Sequence, residues 1–244
     1  MIVIPMAGLS SRFFKAGYSK PKFMLEAQGK TIFRHSIESF IEYFESEKFL
    51  FIIRGDKQVE EFVLQQINMM NIRHFEVVSL NEPTRGQAET VAIGLKKSSI
   101  FEAKEAITIF NIDTFRIGFK FPKLIRECDG YLEVFKGEGS NWSFVKSTTE
   151  GSDKVEEVRE KEQISNLCCT GLYHFSSSVD FFESYNDYID KPKFEWEKGE
   201  LYVAPLFNYL IGNNKEIRYD LIERDKVIFC GIPEEYEYFL KSWK

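Results

Sequence analysis

The segment IPMAGLSSRFFKAGYSKPKF, residues 4 to 23, concentrates groups that could hold a negatively charged ligand. Ala7, Gly8, Ser10 and Ser11, with Leu9 among them, follow closely on an apolar run, Ile2-Val3-Ile4. Side chains that small let backbone N–H groups approach a phosphate, and successive N–H groups in such a turn form an anion-binding concavity. Arg12 adds a guanidinium fork, and Lys20 and Lys22 flank Pro21, whose ring stiffens the chain that presents an ammonium to the same anion. The spacing is neither that of a P-loop nor the three-glycine fingerprint of a dinucleotide fold. A tight turn followed by a solvated basic loop is the plainer alternative, and the strand just before it favours phosphate binding.

Further along, TRGQAETVAIGL places Gly86 and Gln87 at the mouth of a predicted helix. A glycine there lets a base plane lie against the backbone, and the Gln amide both donates and accepts along a base edge; an ordinary helix start is the alternative. AITIFNIDTF ends an apolar strand in Asn111 and Asp113. A carboxylate at that end can hold Mg²⁺, a hard cation shared with substrate phosphates, or can simply form a turn. Glu160 and Lys161 sit together near a predicted strand end, where charged pairs usually face solvent. Glu200 precedes a predicted helix, where a carboxylate suits the macrodipole.

MAGLSSRF followed by KPKFML resembles the signature loop of the sugar-phosphate nucleotidylyltransferases, whose pattern is close to A-[AG]-G-x-[GS]-[ST]-R with a Pro-Lys downstream. The resemblance implies that residues 7–11 wrap a nucleoside triphosphate while Arg12 and Lys22 hold its phosphates. It also implies a base-binding turn at Gly86 and Gln87, and Mg²⁺ on Asp113. Lys161 would sit on the acceptor phosphate, Glu160 on an acceptor hydroxyl and Gly171, in CTGLYHF, beneath the acceptor. KGELYVAPLFNYL resembles the Gly-Glu segment before a helix that closes the acceptor pocket, with Glu200 a hydroxyl or ammonium ligand there. The pattern departs from the family in two places. Leu9 stands where the hexose-1-phosphate enzymes carry a second glycine. Phe229-Cys230-Gly231-Ile232-Pro233-Glu234 stands where a second metal-binding aspartate precedes Gly-Thr-Pro.

Alternating apolar runs and helix-period segments in the first half predict βαβ units: strands near Ile2–Ile4, Phe49–Ile53, Phe75–Leu80 and Ala106–Phe110, with helical stripes over residues 32–44 and 59–67. After Asp113, strands are expected at Tyr131–Phe135, Trp142–Lys146, Val155–Glu160 and Cys169–Phe175. Helices return at Val179–Tyr188 and Tyr202–Ile211, and strands near Ile217–Leu221 and Val227–Phe229. The expected fold class is α/β: a Rossmann-like, three-layer nucleotidyltransferase fold with a mixed, mostly parallel sheet and an appended antiparallel acceptor-binding lobe. Residues 1–244 read as one domain, with a nucleotide-binding half at 1–115 and an acceptor-binding half at 116–244, sharing one continuous sheet.

Composition narrows the function classes. A net charge of −6 argues against a nucleic-acid binder, and no apolar run reaches the roughly 20 residues of a membrane span. The apolar N-terminus lacks a basic leader and is broken by Pro5 and Gly8, so a cytoplasmic enzyme is expected. Cys128, Cys168, Cys169 and Cys230 show no CxxC pairing and read as reduced structural thiols; His35, His74 and His174 share no spacing and read as structural. The expected partners are an NTP, with CTP favoured by Leu9 and the short chain, and a phosphorylated small acceptor such as a sugar phosphate or phosphoglutamine. The expected cofactor is Mg²⁺, and a homo-oligomer is left open. A metal-dependent glycosyltransferase, echoed by Asn111-Ile112-Asp113, would not need Arg12 and Lys22; a non-catalytic nucleotide-binding paralogue would explain the missing aspartate.

Overall fold

The computed structural model describes residues 1–242. Its first strand, β1 (Ile2–Met6), has Ile2, Val3 and Ile4 fully buried, as a run of β-branched residues between two parallel neighbours requires. There follow a short helix α1 (Ser11–Lys15), a small hairpin of β2 (Glu26–Ala27) and β3 (Lys30–Thr31), and α2 (Ile32–Ile37). Next come β4 (Lys48–Arg54), α3 (Lys57–Met70), β5 (His74–Leu80), α4 (Gln87–Lys97), β6 (Ile107–Phe110) and the short β7 (Thr114–Arg116). After a 3₁₀ segment, Lys123–Arg126, come four strands with no helix between them: β8 (Gly130–Lys136), β9 (Ser143–Ser147), β10 (Val155–Glu160) and β11 (Leu167–Phe175). Then α5 (Ser178–Asp190), α6 (Phe207–Gly212), β12 (Ile217–Ile222), β13 (Val227–Phe229) and α7 (Pro233–Ser242) complete the chain.

Nine of these strands form one sheet. β5, β4, β1 and β6 run parallel in that order, and β11 attaches antiparallel to β6. β11 is buried over all nine residues and organises the second half. On one edge it carries β8, which pairs in turn with β12. On the other edge Leu172–Phe175 pair with β6, whereas Leu167 and Cys168 pair with β9. The register shifts between Cys169 and Tyr173, where Gly171 adopts φ +93°. β6 and β9 therefore leave a gap along β11. Such breaks at the carboxyl ends of parallel strands are where open α/β sheets bind ligands.

Helices cover both faces, giving three layers. On one face Val91 and Leu95 of α4, Phe181 and Tyr185 of α5 and Phe207 of α6 share a core with Val3 and Leu50. On the other, Phe33 and Ile37 of α2 and Val63 and Ile67 of α3 pack on Ile2, Ile4 and Phe51. Side-chain oxygens cap the starts of α2 and α3: Thr31 Oγ1 accepts from Arg34 N–H, and Asp56 Oδ1 from the N–H groups of Gln58 and Val59.

The expected α/β architecture and shared sheet are observed, and the differences are local. The stripe over residues 32–44 is α-helical only to Ile37 and continues as a 3₁₀ segment, Glu38–Tyr43, with Phe40 at φ −104°, ψ 24°. Tyr202–Ile211 is likewise a 3₁₀ turn, Ala204–Leu206, followed by α6. Packing can preserve an apolar stripe through either helix type, so periodicity alone did not distinguish them. The β2–β3 hairpin turns through Gln28 and Gly29 at φ 51° and 75°, and its strands are too short for an alternating pattern to show.

Val227–Phe229 is a strand, but it pairs with β7 in a separate ladder rather than extending the main sheet. That ladder holds the turn after β6 against residues 230–231, where Cys230 N–H donates to Asp113 O at 2.8 Å. Behind it Arg116 Nε donates to Glu133 Oε1 at 2.7 Å, Thr170 Oγ1 donates to the same oxygen at 2.8 Å, and Arg116 Nη1 donates to Lys226 O at 2.7 Å. Both ionic partners are buried. Removing one leaves the other charge stranded in a low-dielectric interior. Arg116→Met is expected to lower unfolding free energy by about 3–5 kcal/mol in urea denaturation. Arg116→Met combined with Glu133→Leu should cost much less; equal losses would show that the pair does not act as a unit.

Candidate active site

A cavity of about 820 Å³ opens at the gap between β6 and β9, and every site residue nominated by the sequence lines it. The first loop contributes Ala7, Gly8, Leu9, Ser10, Ser11 and Arg12, and Lys22 follows; the start of α4 contributes Gly86 and Gln87. Asp113, Gly171, Glu160, Lys161 and Glu200 complete the set. Of the two lysines flanking Pro21, Lys22 lines the cavity, whereas Lys20 is exposed and does not.

The first loop is held at both ends. Ser10 sits in the left-handed region, φ 50°, ψ 29°, with its carbonyl accepting from Phe13 and Phe14 N–H. Its hydroxyl accepts from Lys22 N–H at 3.2 Å, which ties the small-residue turn to the Pro-Lys segment. Phe13 anchors α1 from below against Tyr18 and Tyr236, and Tyr236 Oη donates to Glu26 O at 2.7 Å. Arg12 has no acidic partner among the described residues, so its guanidinium is available to a ligand. Lys22 Nζ instead contacts Asp113 Oδ2 directly and brings an ammonium to that carboxylate.

Gly86 and Gln87 serve the site through geometry that the sequence did not show. A Cβ on Gly86 would lie 2.5 Å from Leu201 O, so the glycine is required by the close approach of the Leu201 backbone, which is bonded to Arg85 O and Ala88 N–H. Gln87 Nε2 donates to Asn111 Oδ1 at 2.5 Å, and Asn111 packs over Gly171, whose added Cβ would meet Asn111 Nδ2 at 2.4 Å. Gln87 is thus part of a scaffold linking α4 to the end of β6.

Across the cavity, Lys161 follows β10 in a left-handed conformation, φ 55°. Its Nζ donates to Tyr202 Oη, lies 4.4 Å from the Tyr202 ring centroid and is 3.7 Å from Glu160 Oε1. Glu160 is 6% exposed; Ser143 Oγ donates to its Oε2, and its N–H donates to Glu197. Burial raises the Glu160 pKa, with Ser143 and Lys161 opposing. Burial likewise raises the Tyr202 hydroxyl, with Lys161 opposing. Tyr202, Ser143 and Trp142 were not foreseen, because an aromatic or hydroxyl residue beside a strand carries no spacing signal of its own.

Glu235 was also missed. It lies in the first turn of α7, lines the same cavity and accepts from the N–H groups of Gly231 at 2.8 Å and Ile232 at 3.3 Å through Oε2. Burial raises its pKa, and the Asp113 carboxylate adds to the rise. The sequence signal was the carboxylate inside a Gly-x-Pro helix start. Among the described residues no three His, Cys, Asp or Glu converge as a metal cluster. Asp113 and Glu235 nevertheless present hard oxygen donors to one space. A Cβ on Gly231 would fill that space, at 3.0 Å from Asp113 Oδ2 and 3.6 Å from Glu235 Oε2, and the Lys22 ammonium already contacts Asp113 there. Such a donor set fits Mg²⁺, which takes one or two carboxylates and completes its octahedron with phosphate and water.

The histidines and cysteines lie outside the cavity chemistry. His174 is buried against Thr108 Oγ1, and desolvation pushes it down to about 3. The four cysteines are unpaired. Of these, Cys169 lines the cavity, but burial holds its thiol well above the usual range.

The structure matches that of a nucleoside-diphosphate-sugar pyrophosphorylase from Vibrio cholerae RC9 with 52% sequence identity and a TM-score of 0.95, covering 99% of this chain and 100% of that one. The chain belongs to the sugar-phosphate nucleotidylyltransferase family. The fold is shared with a UDP-glucose pyrophosphorylase complexed with UDP-glucose, at 16% identity and TM-score 0.75, covering 99% and 97% of the two chains. It is shared too with an inositol-1-phosphate CTP transferase from T. maritima, at 15% identity and TM-score 0.72, covering 98% and 94%. No protein-family model and no curated protein matches the chain. Where the family pattern expects its second aspartate, this nucleotidylyltransferase has an aromatic wall: Phe229 packs 4.4 Å from Trp142 and 5.4 Å from Phe135, centroid to centroid.

The buried Glu160 sets a pH dependence. A carboxyl whose folded pKa lies above its unfolded value destabilises the fold when ionised. That penalty is absent below the unfolded pKa, about 4.3, and grows as pH rises through the folded value. Glu160→Gln, which keeps an acceptor for Ser143, should therefore raise Tm at pH 8 and change it little near pH 4 by calorimetry. A gain confined to low pH would contradict the assignment.

Proposed function

We propose that this protein is a Mg²⁺-dependent nucleotidylyltransferase that transfers NMP from an NTP, with CTP favoured, to a phosphorylated small-molecule acceptor and releases pyrophosphate. Its product would be a precursor for capsule or surface polysaccharide, made in the cytoplasm where NTPs reside. One observation carries this reading. The cationic loop with Arg12 and Lys22 lines one side of a single cavity, Lys161 and Glu160 line the other, and Asp113 lies between the β6 end and Gly231.

In the reaction, an oxygen of the acceptor's phosphate forms a bond to the α-phosphorus of the NTP. The bond from that phosphorus to the bridging oxygen breaks, and its electron pair leaves with pyrophosphate. The attacking phosphate is already ionised, so no base is required, and no covalent enzyme intermediate forms. Catalysis therefore rests on alignment and on neutralising the charge of the leaving group. The N–H groups of residues 8–11 and Arg12 would cradle the triphosphate. Lys22 would exchange its Asp113 contact for phosphate, and Asp113 would hold the metal, which neutralises phosphate charge when bound. Lys161, steadied by Tyr202, would hold the acceptor phosphate, while Glu160 and Glu200 would face the rest of the acceptor. Leu9 favours the cytidylyltransferase branch, whose acceptors include sugar phosphates and phosphoglutamine.

A screen of four NTPs against phosphorylated acceptors, read by pyrophosphate release, tests the proposal. Release is expected, with CTP best. Arg12→Ala and Asp113→Ala should each cut turnover by at least about 10²-fold, the loss typical of removing one transition-state charge contact, with Tm nearly unchanged. Near-wild-type turnover in either variant would remove that residue from the mechanism, and no release with any pair would favour a nucleotide binder without catalysis.

A further inference from the structure

The family's second metal-binding aspartate is absent from this chain, and the structure shows what occupies its place. Phe229 faces Trp142 and Phe135, so that position offers no oxygen. The carboxylate that does reach the Asp113 side of the cavity comes from α7, six residues later. We propose that Glu235 is the second carboxylate of the metal site, presented beside Asp113 across the bare Cα of Gly231. This inference rests on the metal-dependent reading above and names a ligand that reading leaves open.

Three features of the geometry converge on it. Gly231 and Ile232 N–H groups both hold Oε2, which fixes the carboxylate plane and leaves Oε1 without a donor among the described residues. The space between Asp113 Oδ2 and Glu235 Oε2 is kept open by the bare Cα of Gly231, since a Cβ there would sit 3.0 Å from one and 3.6 Å from the other. The helix that carries Glu235 is anchored to the elements after the first loop: Tyr236 donates to Glu26 O of β2 and packs on Phe13 of α1. The Lys22 ammonium on Asp113 shows that a cation is accommodated there. Glu235 as nothing more than a cap for the α7 start is the competing account, and the two differ in what an isosteric amide would do.

The test uses Mn²⁺ as the probe and the full chain without nucleotide, with free metal read by electron paramagnetic resonance. The wild type should bind one Mn²⁺. Glu235→Gln keeps a side-chain oxygen for the Gly231 and Ile232 N–H groups and should preserve Tm, while weakening Mn²⁺ binding at least about tenfold, the lower end of what losing even an outer-shell partner costs. Phe229→Asp in the Glu235→Gln background should recover part of that affinity, because it restores a carboxylate at the family position. If Glu235→Gln binds Mn²⁺ as tightly as the wild type while Asp113→Asn does not, Glu235 is a cap only and the inference is overturned, with the Asp113 assignment intact. A wild type that binds no Mn²⁺ also overturns it. Pyrophosphate release, measured separately, decides the underlying reaction, so failure of this ligand and failure of that reading are distinguishable.

Discussion

The contact between Lys22 and Asp113 is the constraint around which the site is organised. It joins residues 91 positions apart, one following the first parallel strand and the other following the fourth strand of the parallel set. A lysine and a carboxylate touching at the carboxyl edge of a parallel sheet do little for stability, since both remain partly exposed and solvent screens them. They matter as a poised pair. The ammonium is held beside the small-residue turn of residues 7–11 and the carboxylate beside Gly231, and the proposed magnesium-bound polyphosphate would satisfy both charges more fully than they satisfy each other.

The rest of the molecule can be understood as support for that pair. On one edge of β11, β6 pairs with residues 172–175 and β9 with 167–168, so residues 169–171 lie between the two partners at the cavity while β8 continues the sheet on the other edge. The β7–β13 ladder and the buried Arg116–Glu133 pair fix the turn that carries Asp113. α7 clamps the underside of the first loop through aromatic contacts and a tyrosine hydrogen bond, so its N-terminal carboxylate is delivered to the same space. Burying charged groups is costly, and Glu160 and Glu235 both carry raised pKa values from desolvation. Both carboxyls are held by donors from the fold itself, Ser143 Oγ on Glu160 and the Gly231 and Ile232 N–H groups on Glu235, which offset part of that cost.

Much of this was legible before the structure. Fully buried strands such as Ile2–Ile4 and Phe49–Ile53 announce themselves by apolar composition, and the small-residue turn after the first of them does line the cavity. The sequence could not show that Gly86 is demanded by the Leu201 backbone, that Gln87 gives an amide hydrogen to Asn111, or which of Lys20 and Lys22 lines the cavity. These are outcomes of tertiary packing between segments far apart in the chain. Glu235 escaped notice for a related reason: a glutamate in a first helical turn has a local role that explains it, and only the fold brings it to Asp113. The 3₁₀ continuation after α2 shows the same limit, since the apolar stripe is conserved in either geometry.

The most direct measurement of the central claim is calorimetric titration of nucleotide into the protein, with and without Mg²⁺, for the wild type and for Arg12→Ala. The account predicts that a cytidine triphosphate binds the wild type, that Mg²⁺ strengthens the binding, and that the substitution removes most of the affinity while leaving the fold intact. Equal affinity in both proteins, or binding indifferent to Mg²⁺, would contradict it.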